Sequence, residues 1–183
     1  MKKGQIWVET VIYTLIGIIL IGMVIGFAKP AIEKQKDKIL VEGSIDSLNE
    51  IDSKILEVNR MGPSNSREIS LSIKKGYLKI DAKKDELIFL IDNSKYAASE
   101  TGRVYNAKIN ISGTNLQIMT EDAGDKYKIS ILRSFDFFKI NLTYKEKDED
   151  HIFNIAVNPY SLVIENKGKQ DSGAIQINIY ENS

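Results

Sequence analysis

Residues 1–30 read MKKGQIWVETVIYTLIGIILIGMVIGFAKP, and the apolar part of this stretch determines the first element of the fold. The run from residue 6 to residue 28 is 23 residues long and contains a single charged residue, Glu9. As a helix it measures about 34 Å, which is enough to cross a bilayer core of about 30 Å. A buried core helix would show a polar stripe, and a secretory signal has a shorter apolar region followed by a small-residue cleavage site. The run therefore predicts a membrane helix.

The composition excludes most common catalytic centres. Lysine plus arginine and aspartate plus glutamate each total 25, so the net charge is zero and gives no bias toward nucleic acid. The chain has no cysteine and one histidine, His151. Disulfides, thiolate metal sites, cysteine nucleophiles and histidine-rich zinc sites therefore cannot be built from it. We expect a protein that is not an enzyme and has no catalytic residues, cofactor or metal. A hydrolase that uses carboxylates alone is the enzymatic alternative.

Glu9 is the unusual residue of the apolar run. A charge at the bilayer centre costs about 3 kcal/mol on insertion scales, and less near the end of a span, where the carboxylate reaches the interface. Glu9 is therefore either an interfacial acid without a role or a residue that needs a positive partner. Charge does not decide the orientation of the span, because lysines lie on both sides. They are Lys2 and Lys3 before the run, and Lys29, Lys34, Lys36 and Lys38 after it.

The order Lys2-Lys3-Gly4, then Gln5, then Glu9 within a long apolar helix resembles a type IV pilin precursor. The glutamine after the glycine is similar to the class III signal peptide of archaeal pilins and archaellins. The resemblance covers about 30 residues. It implies that a prepilin peptidase cuts between Gly4 and Gln5 on the cytoplasmic side, and that the apolar helix is retained. It also implies that Glu9, the fifth mature residue, pairs with the N-terminal amine of a neighbouring subunit.

Two other features of the run concern cleavage and assembly. Trp7 is bulkier than the resemblance leads us to expect so close to the cleavage site. Gly22 and Gly26 form a small-xxx-small pair, which lets two helices approach closely in lipid. Such pairs also occur by chance in membrane helices, so this one is a candidate packing face.

Beyond the run the pattern becomes that of an amphipathic helix. Pro30 removes a backbone donor and crowds the preceding turn, so it should kink the helix or start a new segment. We predict a helix over residues 31–59, ended by Gly62 and Pro63, whose later part docks on a globular head. A free coiled coil is the alternative, but the apolar stripe covers fewer than three heptads. The stripe consists of Val41, Ile45, Leu48, Ile51, Ile55 and Val58.

After residue 66 the pattern alternates with a period of two, which is typical of strands. A helix followed only by strands is not a βαβ pattern, so a nucleotide-binding α/β fold is not expected. We predict an α+β protein with a long N-terminal helix and an antiparallel, sandwich-like head. Predicted strands cover residues 68–74, 77–81, 87–92, 104–112, 115–120, 127–133, 137–144, 152–158, 161–165 and 174–180. The predicted core of the head comprises Ile69, Leu71, Ile73, Leu78, Ile80, Phe89, Ile109, Ile111, Ile129, Ile131, Phe138, Ile140, Leu142, Phe153, Ile155, Ile175 and Ile177.

The head carries several minor candidate sites. Asn110 and Asn141 begin N-glycosylation sequons and are predicted on the polar faces of their strands, although chance alone yields one or two such sequons. The acidic segments 121–125 and 145–151 lack the ligand spacing of a calcium loop. We interpret both as solvated hairpin turns, with His151 at the surface. A modest basic patch is more typical of solubility or edge protection than of nucleic-acid binding: Lys74, Lys75, Lys83 and Lys84.

These predictions divide the chain into a leader (1–4), a membrane or filament-core helix (5–28), an amphipathic helix docked on the head (29–60) and a β-rich head (67–183). The resemblance implies a structural subunit of a type IV pilus-like surface filament, inserted in the cell membrane before assembly and extracellular afterwards. Its partners would be a prepilin peptidase, the membrane and like subunits. The alternative is an uncleaved, single-pass membrane anchor whose extracellular β-domain binds a ligand or partner.

Overall fold

The computed structural model describes residues 3–99 and 108–182, with side chains described from Trp7 onward. The chain divides into two compact units, Met1–Lys36 (the N-terminal unit) and Asp37–Ser183 (the C-terminal unit). Helix α1 (Lys3–Met61) contributes residues to both. Strands follow it to the end of the described chain. The predicted fold class, one long N-terminal helix followed by a β-rich region, is confirmed.

The N-terminal unit consists of the first part of α1. The most apolar 18-residue window of this helix has no buried residue, and the helix is long and apolar enough to cross a membrane. Pro30 lies inside α1, so of the two alternatives predicted there, a kink or a new segment, the second is not formed. A proline costs a helix about 3 kcal/mol locally. Helix α1 has 59 residues in total and extends on both sides of Pro30, so the segment stays helical despite this local cost.

Ten strands follow α1 in the described residues, in two sheets. The four-stranded sheet has the order β1-β9-β10-β7, and the six-stranded sheet has the order β4-β5-β6-β3-β2-β8. Their bounds are Ser66–Leu71 (β1), Tyr77–Asp81 (β2), Glu86–Ser94 (β3), Ile109–Asn110 (β4), Gln117–Asp122 (β5), Tyr127–Ser134 (β6), Ile140–Tyr144 (β7), His151–Phe153 (β8), Tyr160–Lys169 (β9) and Ile175–Glu181 (β10).

The strand pairings are antiparallel, as predicted, with one exception. Strands β7 and β10 are parallel. A parallel pair needs a crossover connection, and here the chain leaves β7 for the other sheet, forms β8 there, and returns through β9 before it reaches β10. The connection from β7 to β8 therefore links the two sheets.

One hydrophobic core is shared by α1 and both sheets. Five of the six residues of the predicted helix stripe are buried, and Ile45 is partly buried against them. Ile51 of α1 lines one small internal gap with Ile69 and Leu162 of the four-stranded sheet and Leu78 and Phe153 of the six-stranded sheet. The later part of α1 thus packs on the sheets of its own chain, and the free coiled coil is not formed there.

The strand predicted from residue 137 begins instead at Ile140, because a 3₁₀ helix, Asp136–Phe138, precedes it. Alternation placed Phe138 on the same face as Ile140, but the left-handed conformation of Lys139 (φ 50°) changes the chain direction between them. Phe138 is 40% exposed, and Phe135, which was not predicted, fills the core. The core prediction for Phe138 is therefore wrong.

Two further core predictions are wrong. Ile109 is exposed, because β4 is a two-residue strand at the edge of the six-stranded sheet, where little covers it. Ile155 is exposed because β8 ends two residues earlier, so the strand predicted over residues 152–158 is much shorter. Residues 104–107 of the predicted strand 104–112 lie outside the described part of the chain.

The C-terminal end of α1 follows the prediction. Gly62 has a φ of 90°, the left-handed conformation that glycine adopts without strain, and its N–H donates to the Val58 carbonyl at 3.2 Å. The buried side chain of Asn166 in β9 donates to the same carbonyl at 3.0 Å. The last turn of the helix is therefore held by its own cap and by the four-stranded sheet.

A buried ion pair joins α1 to the six-stranded sheet. Arg133 Nε in β6 donates to Asp52 Oδ1 at 2.5 Å, and the Asn115 amide donates to Asp52 Oδ2 at 3.1 Å. Arg133 also donates to the Ser134 carbonyl at 2.9 Å, and its guanidinium lies 4.6 Å from the ring centroid of Phe135. Asp52 is 2% exposed and Arg133 is 5% exposed, so each charge depends on the other for its compensation.

Removing one member of this pair should destabilise the C-terminal unit. We predict that Asp52→Ala lowers the free energy of unfolding by about 3–5 kcal/mol, because it leaves the Arg133 charge buried and unpaired. Glu50→Ala, at an exposed position of the same helix, is the matched control and should change stability by about 0.5 kcal/mol or less. Denaturant unfolding of the full chain in detergent micelles measures both. Equal effects of the two variants would contradict the assigned role.

Asp85 joins the turn between β2 and β3 to the other sheet. Its Oδ1 accepts the Leu142 N–H of β7 at 2.8 Å, and its carbonyl accepts the Phe135 N–H at 2.9 Å. Its φ is 52°, in the left-handed region that asparagine and aspartate tolerate best among residues with a side chain. Burial raises the pKa of the Asp85 carboxyl, the hydrogen bond from Leu142 opposes this, and three neighbouring carboxylates raise the pKa further.

A carboxyl whose pKa is raised on folding contributes stability at low pH that is lost as the pH rises through the folded-state pKa. We predict that Asp85→Asn makes the C-terminal unit more stable than the wild type at neutral pH. The asparagine keeps an acceptor for Leu142 and tolerates the left-handed backbone, but it buries no charge. The advantage should shrink at acidic pH, where the wild-type carboxyl is protonated. Denaturant unfolding at both pH values measures this, and a neutral-pH stability at or below that of the wild type would contradict it.

Candidate assembly surface

Helix α1 exposes a continuous apolar surface over residues 7–28 of the N-terminal unit. Because consecutive residues are exposed, the surface extends around the whole helix rather than along one stripe. Exposed apolar patches on soluble monomers rarely exceed a few hundred Å², so a surface of this kind needs lipid or protein around it. Its large members are Trp7, Val8, Val11, Ile12, Tyr13, Leu15, Ile16, Ile18, Ile19, Leu20, Ile21, Met23, Val24, Ile25 and Phe27.

Glu9 lies exposed within this apolar surface. Among the side chains that the structure describes, none forms a hydrogen bond or ion pair with its carboxylate. Gly4 and Gln5, the predicted processing site, belong to α1 by their backbone, and their side-chain surroundings lie outside the described part of the chain. The structure therefore places an accessible acid on the apolar helix, while cleavage after Gly4 stays a prediction.

Gly22 and Gly26 lie on one face of α1, since residues four apart are neighbours on a helix surface. A Cβ atom added at either position would meet no atom within 4 Å. The backbone at both glycines is therefore open to a partner from outside the unit, as a packing face requires. Whether they form a helix–helix contact stays a prediction.

The first turn of α1 in the C-terminal unit is anchored by a buried aspartate. Lys75 Nζ donates to Asp37 Oδ1 at 2.5 Å, and the Lys95 N–H donates to Asp37 Oδ2 at 2.7 Å. Lys75 also donates to the Asn93 carbonyl at 3.1 Å. Lys75 therefore belongs to a structural contact, which corrects its assignment to a basic surface patch.

The two sequons have different surroundings. Asn110 is exposed in β4, and its Oδ1 accepts a hydrogen bond from Gln117 at 3.1 Å. Asn141 is half-buried in β7, and the hydroxyl of Thr143 is buried and donates to Asn178 at 3.2 Å. The native geometry favours Asn110 as the more accessible position. Glycosylation of either asparagine stays a prediction.

The two acidic segments also differ from each other. Residues 121–125 cover the last two residues of β5 and most of the hairpin turn to β6, which agrees with the predicted turn, and the Ala123 N–H donates to the Lys126 carbonyl at 2.9 Å. Residues 145–151 connect the two sheets, and they begin with a tight turn in which Tyr144 and Lys147 form an antiparallel bridge. His151 is half-buried and stacks on Tyr144 with 3.6 Å between ring centroids, so its assignment to the open surface is wrong. Burial lowers the pKa of the His151 imidazole.

The sequence reasoning missed a groove beside α1 in the C-terminal unit. Ile39, Gly43 and Ser47 form one wall, and Ser72 and Lys74, between β1 and β2, belong to the other. The groove has a volume of about 260 Å³. A sequence signal that points to it is Ile39, a large apolar residue directly after Asp37 and Lys38 that is not part of the predicted core stripe.

Comparison of the chain with protein-family models, with curated proteins and with solved structures finds no match. Within the described residues, no group of three or more histidine, aspartate or glutamate side chains is arranged to hold a metal ion. Function is therefore argued from the exposed apolar helix of the N-terminal unit with its acid, and from the groove of the C-terminal unit.

Proposed function

We propose that this protein is a structural subunit of a type IV pilus-like cell-surface filament, processed by a prepilin peptidase and assembled through the apolar part of α1. The observation that carries the proposal is the fully exposed apolar helix of the N-terminal unit, preceded by Gly4-Gln5 and carrying Glu9. The proposal also draws on the resemblance of this short motif to pilin precursors.

The proposed mechanism has three steps. The chain inserts with its leader on the cytoplasmic side and its C-terminal unit outside, the peptidase cuts after Gly4, and the helix then moves from the membrane into a bundle of like helices. Lipid tails are as apolar as the helix side chains, so leaving lipid for the bundle changes the hydrophobic free energy little. Specific contacts must therefore direct assembly.

Glu9 is the residue that supplies such a contact in this proposal. Cleavage would create an amine at Gln5, and the Glu9 carboxylate of one subunit would pair with the Gln5 amine of another. Two opposite charges attract several times more strongly in an apolar surrounding than in water. The pair would therefore compensate the cost of holding each charge in the bundle.

The alternative is an uncleaved membrane anchor whose C-terminal unit binds a partner. The observation that favours it is the length of the apolar helix, which suffices to hold the chain in a membrane without any assembly. Mass spectrometry of the mature N-terminus distinguishes the two. We predict that the mature chain begins at Gln5 in protein from sheared surface filaments. Chains that keep Met1 and remain in the membrane would contradict the filament proposal and support the anchor.

A second prediction concerns the charge of Glu9. We expect Glu9→Gln to insert into the membrane at wild-type levels but to lower filament yield by about tenfold or more, because the amide cannot compensate a neighbouring amine's charge. Glu50→Gln, an exposed acid on the same helix but in the C-terminal unit, is the matched control and should assemble normally. Filament mass in the sheared fraction is compared with chain content of the membrane. Wild-type filament yield from Glu9→Gln would contradict the pairing.

A further inference from the structure

Branched apolar residues recur along α1 at seven-residue intervals, and all are about half exposed or more. Helices that pack lengthwise on other helices carry two apolar positions in every heptad, so one position repeated every seven residues does not by itself identify a packing face. The first three lie in the membrane-length run, where any apolar residue would serve. The last two lie beyond it, in a charged stretch. The series is Val11, Ile18, Ile25, Ile32 and Ile39.

Ile39 is 58% exposed and is not needed by the core of its own unit. At 3.6 residues per turn it lies about 160° around the helix from Val41, which is buried. Neither the membrane span nor the core therefore explains a large apolar residue at this position. Together with Glu42 and Asp46, Ile39 forms a ridge on the outer side of α1.

The groove lies directly beside this ridge. Gly43 and Ser47, four and eight residues after Ile39, belong to the same wall of the groove, and their small side chains keep this wall low. A Cβ atom added at Gly43 would meet no atom within 4 Å, so the space next to the helix backbone is open. The opposite wall carries the exposed Lys74.

The surface on the two sides of Ile39 carries opposite charge. Gly43 and the groove with Lys74 lie on one side, about 40° from Ile39 around the helix. Glu42, about 60° away on the other side, and Asp46, about 20° away on that side, are both exposed. Glu42 contacts Lys38 at 3.7 Å in an exposed pair, which is worth little energetically. A basic groove and an acidic ridge on one surface are complementary between copies of the same chain.

We propose that the groove beside Gly43 binds the ridge formed by Ile39, Glu42 and Asp46 of a second copy of this chain. Lys74 of one copy then faces Glu42 and Asp46 of the next, and the contact uses two different surfaces of each copy. Contacts of this kind repeat and build a filament unless the rotation closes a ring. The inference rests on the proposed function and adds to it a subunit contact outside the membrane-length run.

Charge reversal in the full chain tests the contact. Lys74→Glu alone, and Glu42→Lys with Asp46→Lys, should each lower filament yield about tenfold, because like charges then face each other. All three substitutions together should restore the yield, which a folding defect would not allow. Lys83→Glu, an exposed lysine in the turn between β2 and β3, is the matched control. Normal yield from Lys74→Glu, or no rescue by the triple variant, would overturn the proposal.

A steric variant tests the groove independently of charge. Gly43→Leu meets no atom of its own chain at Cβ and raises helix propensity, so the thermal unfolding of the full chain in micelles should be unchanged or raised. Its filament yield should nevertheless fall about tenfold, because the leucine occupies the place of the neighbouring ridge. Lys34→Leu, at an exposed position nine residues before Gly43, should assemble normally.

Cysteine cross-linking separates this inference from the filament proposal. The chain has no cysteine, so copies carrying Lys74→Cys and copies carrying Asp46→Cys, expressed together, report only contact between chains. We expect a disulfide-linked pair after oxidation in intact membranes or filaments, and none when Lys83→Cys replaces Lys74→Cys. If the wild type forms no filament but the pair still forms, the contact stands and the filament proposal fails. If filaments form without the pair, the contact is wrong.

Discussion

Two parts of α1 carry an apolar surface, one in each unit, and each surface must be covered. From Val41 to Val58 the stripe is buried by two sheets of the same chain. Before Pro30 the apolar side chains are exposed in the N-terminal unit. Burial of apolar area is favourable at roughly 25 cal/mol per Å² but has no direction, so it demands a cover without specifying which one. This demand explains why the later part of the helix is docked on the sheets, and it means that the exposed apolar part needs an apolar surrounding.

Polar contacts fix the orientation of α1 on the sheets, which apolar burial alone does not specify. Apolar burial has no directional preference, whereas hydrogen bonds weaken steeply when their geometry is disturbed. Asp37, Asp52 and the Val58 carbonyl are each held by groups from the sheets or from the segments between strands. These anchors lie near the beginning, middle and end of the docked segment. They fix its position, and with it the outward direction of Ile39 and the location of the groove beside Gly43.

The sequence predicted well which segments form helix or strand, but it did not predict which strands lie next to each other. The helix, its end at Gly62 and most strands follow from the spacing of apolar residues and from glycine and proline chemistry. The parallel pairing of β7 with β10 does not, because alternation shows which residues share a face and carries no information on which strand lies alongside. Phe138 shows a second limit: a single left-handed residue, Lys139, ends the strand pattern on which its predicted burial relied. The exposed strand β4 shows a third limit, because an edge strand has the same alternation of apolar and polar residues as a central strand.

The sequence by itself determined that residues 6–28 need an apolar surrounding, that the following helix has one apolar stripe, and that strands complete the fold. These properties are local, because they depend on residue types at short, regular spacing. Only the tertiary structure decided that Arg133 compensates Asp52, 81 residues away, that Phe135 rather than Phe138 enters the core, and that Lys74 stands across a groove from Ile39. Such contacts join residues that are far apart in the sequence and meet only in the folded chain. The physical reason is that long-range pairing is chosen by the packing of the whole core, and no short window of residues contains that choice.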